Sequence, residues 1–264
     1  MSRRRFSQVF LKDSNLLKKI VSTAGVSEDE WVLEIGPGKG YLTSELLKAG
    51  AKVLAVEIDP DLCKFLQSEF LLFLNDRFFL VNGDFLKLDL RGLFESHGIY
   101  ELKTVSNIPY HITTPILEKL IYNRQFFPEI YLTVQREVAG RIVASPGNKD
   151  YGSLTVFVNL YYESSIEFHI SRFCFHPVPE VDSSLLRLKR KDVPQDLKEF
   201  EGFVRRLFGG RRKKIRTLLK AMGCYKPSFE AKFQDFLEKR PENLSVSDLD
   251  QIFRECLSVK NKVK

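Results

Sequence analysis

The chain has 264 residues, 44% hydrophobic and 12% aromatic, with 41 Lys and Arg against 34 Asp and Glu for a formal net charge of +7. That length and apolar content supply a sizeable core for one large domain, or one domain with a small appendage, and exclude a mainly disordered chain. The positive balance suggests an anionic partner without naming one.

In chain order, Trp31–Ile35 reads as a first strand, and Tyr41–Ala49 as a helix stopped by Gly50. Lys52–Val56 is a second strand. Pro60 opens a helix to about Phe73, with the apolar run Phe70–Leu74 as its buried end. Phe78–Val81, Leu102–Val105 and Ile130–Val134 are the third, fourth and fifth strands, with a helix at Pro115–Tyr122 before the last. Strands alternating with helices imply βαβ units and an α/β fold, a mostly parallel sheet covered on both faces. Leu154–Tyr162 and Ser184–Leu188 are expected as two more strands, antiparallel at one edge. Composition shifts near Asp192-Val193-Pro194, so residues 1–192 form the expected main domain and 193–264 a helical, charged one broken at Gly209-Gly210 and Pro227.

Three strand ends carry chemistry. After the first comes Glu34-Ile35-Gly36-Pro37-Gly38-Lys39-Gly40. Glycines there let the backbone turn sharply and approach a ligand. The spacing is neither that of a dinucleotide loop nor that of a P-loop, and it suits an adenosine cofactor with an amino-acid tail. Glu57 ends the second strand roughly 20 residues on, where a carboxylate can accept from both ribose hydroxyls. Asn82-Gly83-Asp84-Phe85 ends the third; Asp84 can accept from an exocyclic amine, or simply cap a helix. Ser106-Asn107-Ile108-Pro109-Tyr110 ends the fourth. Pro109 stiffens that backbone. The Asn107 side-chain oxygen and a neighbouring carbonyl can together accept from one NH₂ group, and Tyr110 offers a stacking face. This last motif points to methylation of an amino group.

Cys63, Cys174, Cys224 and Cys256 form no C-x-x-C pair, and the four histidines are equally scattered. No metal site or disulfide framework is expected, and a reducing compartment fits better. No apolar run reaches the roughly 18 residues of a membrane span. No h-region follows Arg3-Arg4-Arg5, so a secretory signal is not expected, although the first twelve residues, basic and free of acids, keep an organellar presequence open.

Taken together, Phe6–Leu11, Glu34–Thr43, Asn107–Tyr110, Tyr151–Thr155 and Phe175–Ser183, with Arg211–Leu218 beyond them, resemble the ribosomal RNA adenine N6-dimethyltransferase family. Pro37 in the glycine loop and Thr114-Pro115 after the Asn-Ile-Pro-Tyr motif are most like its small-subunit branch. The resemblance implies a Rossmann-like class I methyltransferase domain with a C-terminal helical domain and S-adenosylmethionine as cofactor. It implies two methylations on each of two adjacent adenosines in a hairpin loop near the 3′ end of small-subunit rRNA, within a pre-ribosomal particle. The expected cofactor contacts are Gln8, Leu11, Gly36, Gly38, Glu57, Ile58, Asp84 and Asn107. Asn107, Ile108, Tyr110 and Phe175 are expected to hold the target base, and Arg211, Arg212, Lys213, Lys214 and Arg216 to dock RNA. A cytoplasmic monomer with no membrane partner is expected. One departure stands out: the family usually has asparagine where this chain has Val9, so any contact there must come from the backbone. Two other readings remain at this point. One is a non-catalytic nucleic-acid-binding factor on the same fold. The other is a DNA or protein N-methyltransferase, which leaves the basic tail unexplained.

Overall fold

The computed structural model describes residues 9–193 and 197–260. The chain enters through β1 (Phe10–Leu11) and α1 (Ser14–Thr23), whose N-terminus is capped by the Asp13 carboxylate accepting from the amides of Asn15 and Leu16. Strand then alternates with helix: β2 (Trp31–Ile35), α2 (Tyr41–Lys48), β3 (Lys52–Glu57), α3 (Pro60–Glu69), β4 (Phe78–Asn82), α4 (Leu90–Ser96), β5 (Lys103–Asn107), α5 (Thr113–Tyr122) and β6 (Glu129–Gln135). Next come α6 (Arg136–Ile142), α7 (Ser153–Tyr161), β7 (Tyr162–Ile170), β8 (Phe175–His176) and β9 (Ser183–Arg190). Four helices close the chain: α8 (Lys198–Gly209), α9 (Ile215–Ala221), α10 (Ser228–Leu237) and α11 (Val246–Lys260). Val53, Leu54, Ala55 and Val56 are buried in succession, as a parallel strand covered on both faces requires.

Seven strands form one sheet in the order β4-β3-β2-β5-β6-β9-β7. The first five pair in parallel and β9 runs antiparallel to β6. β1 pairs separately with β8. From β2 the chain steps outward to β3 and β4, then returns to β5 and β6 on the other side. This reversal creates a switch point between β2 and β5, where sheets of this kind bind ligands. β2 and β5 pair only at Val32/Lys103 and Leu33/Thr104. Beyond that the Ile35 amide donates to Ser106 Oγ at 2.9 Å, and that hydroxyl donates to the Leu33 carbonyl at 3.4 Å. A side chain thus satisfies an amide that the parting strands would leave bare.

At the other end of β5, the buried Lys103 Nζ donates to the carbonyls of Ala24 (2.8 Å) and Gly25 (3.0 Å), and lies 3.1 Å from Glu30 Oε1. An ammonium therefore caps the C-terminus of α1, where the helix dipole favours a cation.

The described residues divide into two compact units, one reaching Ala139 and including Ser164–Arg190, the other containing Gly140–Glu163 and the chain from Lys191 onward. The second unit begins its C-terminal part close to the expected boundary at 192/193, and also takes in 140–163. Those residues join it because Tyr151 and Val156 pack in one core with Phe200, Leu207 and Leu249. Two expectations are corrected. Leu154–Tyr162 is not a strand: Ser153–Tyr161 is helix α7, and the strand follows as β7, with alternating burial along Tyr162–Ile170. Phe70–Leu74 is not a buried helix end. The helix stops at Glu69, Phe70 turns in against Phe78 with ring centroids 5.1 Å apart, and Leu71 and Leu72 in the following 3₁₀ turn are 66% and 92% exposed.

Lys103→Met should destabilise the protein by about 2–4 kcal/mol, because Glu30 loses its buried partner and two carbonyls lose a donor. Urea unfolding measures this; a loss under about 0.5 kcal/mol would show that the clamp contributes little.

Candidate active site

A cavity of about 650 Å³ opens at the carboxyl ends of the parallel strands, a size suited to a small-molecule ligand. Its floor is the β2–α2 turn. Gly38 has φ +59°, donates its amide to Glu57 Oε2 at 3.0 Å, and lies so close to Phe10 that an added Cβ would sit 2.7 Å from the ring. Gly40, at φ +74°, begins α2 where a Cβ would be 2.5 Å from Phe70. Only glycine fits these two positions. Within α2, Thr43 donates its hydroxyl to Glu34 Oε2 at 2.6 Å, tying the helix to β2.

Four acidic residues, Glu34, Glu57, Asp84 and Glu180, line the cavity. Glu57 is buried, its Oε1 accepting from the Asp59 amide at 3.0 Å. The Glu57 carbonyl accepts from the Gly83 amide at 2.9 Å and from Asn82 Nδ2 at 3.0 Å, so the β3 and β4 ends are locked together. Burial pushes the Glu57 carboxyl above its usual range, while the Asp59 and Gly38 amides pull it back. Glu34 is also buried, and desolvation pushes it up to about 8, with the Thr43 hydrogen bond lowering it and the nearby Glu57 charge adding to the rise. Asp84 is a cap, and it also faces the cavity. Its Oδ1 caps the short Phe85–Lys87 turn by accepting from the Leu86 amide at 3.0 Å, and the residue lines the cavity.

Asn107 also lines the cavity. Its Nδ2 donates to the Val9 carbonyl at 3.3 Å, and its Oδ1 is buried with no hydrogen-bond partner. A carbonyl only accepts, so Val9 can only meet the amide nitrogen, and the orientation of the side chain is settled chemically. An unpaired buried acceptor costs free energy that a ligand N–H would recover. Tyr110 lines the cavity, its hydroxyl 2.6 Å from Ser183 Oγ. Burial raises the Tyr110 pKa, partly offset by Ser183.

Leu11, Gly36, Ile58 and Ile108 also lie on the cavity wall, Ile58 being 44% exposed. Gln8 lies outside the described residues. Phe175 is placed away from the lining: it is 3% exposed and packed in the core with Leu11, to which it is paired across β1 and β8. Its neighbour Phe173 is 73% exposed. The Val9 carbonyl accepts from Asn107, the backbone contact left open for that position. Glu34 on the cavity wall and Ser183 against the Tyr110 hydroxyl are at the site without having been singled out by residue type.

The five expected RNA contacts lie in the helical unit. Gly209 ends α8, and Ile215, Leu218 and Leu219 of α9 are buried, so the preceding cations are exposed. Three of the five are already paired. Arg211 bonds Glu242 (2.7 Å), Lys214 bonds Glu238 (2.6 Å), and Arg216 bonds Glu230 and Glu238. Among the described residues, Arg212 and Lys213 have no acidic partner.

The sheet order, the switch point and acidic strand ends around the cavity define a Rossmann-like class I methyltransferase. A family model described as ribosomal RNA adenine dimethylase matches residues 1–262, and the chain belongs to that family. It is 41% identical over 230 residues to ribosomal RNA small subunit methyltransferase A of Caldanaerobacter subterraneus subsp. tengcongensis, covering 85% of each chain. It is 38% identical over 256 residues to the protein of that name from Clostridium botulinum, covering 94% of this chain and 92% of the relative. The crystal structure of a dimethyladenosine transferase from Plasmodium falciparum superposes with a TM-score of 0.79 at 26% identity, over 96% of this chain and 98% of that one. The 23S rRNA methyltransferase ErmE gives 0.73 at 27%, over 94% and 99%. The protein is an S-adenosylmethionine-dependent methyltransferase of ribosomal RNA adenine.

The Glu34 carboxyl carries a proton in the folded protein well above the pH at which the unfolded chain loses it. Its contribution is fully present below about 4.5 and is lost as pH rises toward about 8. Glu34→Gln keeps an acceptor for Thr43 and removes the titration. In the absence of ligand, the variant should match the wild type near pH 5 and gain on it by about 2–4 kcal/mol at pH 9. Thermal unfolding across that range tests this, and parallel curves for the two proteins would refute it.

Proposed function

We propose that this enzyme dimethylates N6 of two adjacent adenosines in a hairpin loop near the 3′ end of small-subunit rRNA. In this reading it works as a monomer in the cytoplasm on a pre-ribosomal particle. The small-subunit assignment is supported by the relatives named above and by Pro37 and Thr114-Pro115. No helix of the described residues is long and apolar enough to cross a membrane.

The carrying observation is the buried, unpartnered Oδ1 of Asn107 on the cavity wall. Bound S-adenosylmethionine supplies an electrophilic methyl group. Glu57 would hold its ribose hydroxyls and Asp84 its adenine amine, with Leu11, Gly36, Gly38 and Ile58 around them and Gln8 in the segment before. The rest is placement by the chain. Asn107 Oδ1 accepts one N6 proton of the target and the Ile108 carbonyl the other, which draws the nitrogen out of conjugation and aims its lone pair across the cavity. Holding the reactants at near-attack distance is the main catalytic contribution. Tyr110 gives the unstacked base a ring to stack on, worth about 1–3 kcal/mol against an unstacking cost of a few. Ser183 holds that ring by its hydroxyl. Phe175 acts from behind, by fixing β8 against the segment that carries Val9. The methylated nitrogen is acidic and loses its proton to water, so no general base is required.

RNA docking falls to the helical unit, from residue 193 onward together with 140–163. Within Arg211–Arg216, Arg212 and Lys213 are the cations available to phosphates, since the other three would first have to leave their glutamates.

Incubation with small-subunit particles and labelled cofactor, followed by mass spectrometry of rRNA nucleosides, should show N6,N6-dimethyladenosine; label confined to other nucleosides would overturn the reading. Asn107→Ala should slow single-turnover transfer by about 100-fold or more while cofactor affinity changes only a few fold. A rate within a few fold of the wild type would remove Asn107 from the amine.

Arg212→Ala with Lys213→Ala should lower the slope of log K against log salt by up to about 2. Arg211→Ala, which removes a cation already neutralised by Glu242, should lower it less. Equal slopes for the double variant and the wild type would place the RNA elsewhere.

A further inference from the structure

The Asp84 wall of the cavity is not part of the sheet. It is the loop that leaves β4, the outermost strand on its side, and runs to α4. On the sheet side it is held by the Gly83 amide on the Glu57 carbonyl, and internally by the Asp84 cap on Leu86. A third tie comes from α5. Lys119 Nζ donates to the carbonyls of Leu86 (3.0 Å) and Leu88 (2.5 Å) and stands 5.5 Å from the centroid of the buried Phe85 ring. Asp84, Phe85 and Leu86 all line the cavity. One ammonium therefore grips the loop on both sides of Lys87. It does so from the helix that begins three residues after Tyr110, whose carbonyl accepts from the Thr113 hydroxyl at 3.0 Å. A single side chain thus links the loop that carries Asp84 to the helix that follows Tyr110.

We propose that Lys119 is a positioning residue for the cofactor: from α5 it sets the place of the Asp84–Leu86 wall, and thereby the discrimination for adenine over a purine lacking the exocyclic amine. This rests on the reading that Asp84 accepts from that amine. A Lys119 that merely stabilised the fold would affect all ligands of the cavity alike. A positioning Lys119 affects the ratio between them.

Calorimetric affinities of S-adenosylhomocysteine and S-inosylhomocysteine separate these cases, measured on the full chain as wild type, Lys119→Met and Lys119→Arg, with the melting temperature of each. The wild type should prefer the adenine form by about ten-fold, as expected for one hydrogen bond to a charged acceptor. Lys119→Met should bring that preference to about two-fold or less, and Lys119→Arg, which can still donate to both carbonyls, should restore most of it. No preference in the wild type would sink the Asp84 reading and this proposal with it. A wild-type preference that survives unchanged in Lys119→Met would leave Asp84 in place and overturn the role of Lys119. If Lys119→Met does not fold, Lys119→Gln takes its place, with the same two outcomes.

Discussion

Ile35 and Ser106 stand where two parallel strands stop pairing. Backbone amides inside a sheet must be satisfied, so strands cannot simply part company. Here a serine hydroxyl takes over from the missing carbonyl, accepting from Ile35 and donating to Leu33. The crevice at the switch point depends on that substitution. It brings the glycine turn after β2 and Asn107 at the end of β5 to one cavity. The neighbouring strand ends then bring Glu57 and Asp84 to its rim by topology alone.

Within this frame the polar groups are restrained unequally. Both oxygens of Glu57 accept from backbone amides, and its carbonyl accepts from Asn82 and Gly83. Its position is therefore stiff while lone pairs remain for a ligand. Asn107 has one end committed and one end open. Its committed end leans on the Val9 carbonyl, whose own position follows from the pairing of Phe10 and Leu11 with His176 and Phe175 and from the Lys12 amide on the Cys174 carbonyl. The buried Phe175 thus helps to fix the segment on which Asn107 leans.

The parallel strands were legible because their apolar runs are short and bounded by turn residues, and the gathering of Gly36, Gly38, Glu57 and Asp84 around one cavity because each stands at a strand end. Ser153–Tyr161 was not legible. A helix with Thr155, Val156, Phe157 and Val158 all buried shows no period of either kind. Its start lies in a weak signal, the Thr155 hydroxyl accepting from the Gly152 amide at 3.0 Å. The basic segment was legible as exposed but not as partly neutralised, since Glu230, Glu238 and Glu242 reach it only through folding. The placing of Phe175 in the core likewise depends on a strand pair between distant parts of the chain. Aromatic character announces burial and stacking equally well.

The Val9 contact has a consequence for how such a site drifts. The group that Asn107 donates to belongs to the main chain, and every amino acid has that group. This bond therefore does not depend on which side chain stands at position 9, provided that the short strand beside it keeps its shape. The open group of Asn107 is by contrast a side-chain oxygen, which leucine would delete and aspartate would charge. Two residues in direct contact can thus tolerate change very differently, and variation at one says little about the importance of the bond between them.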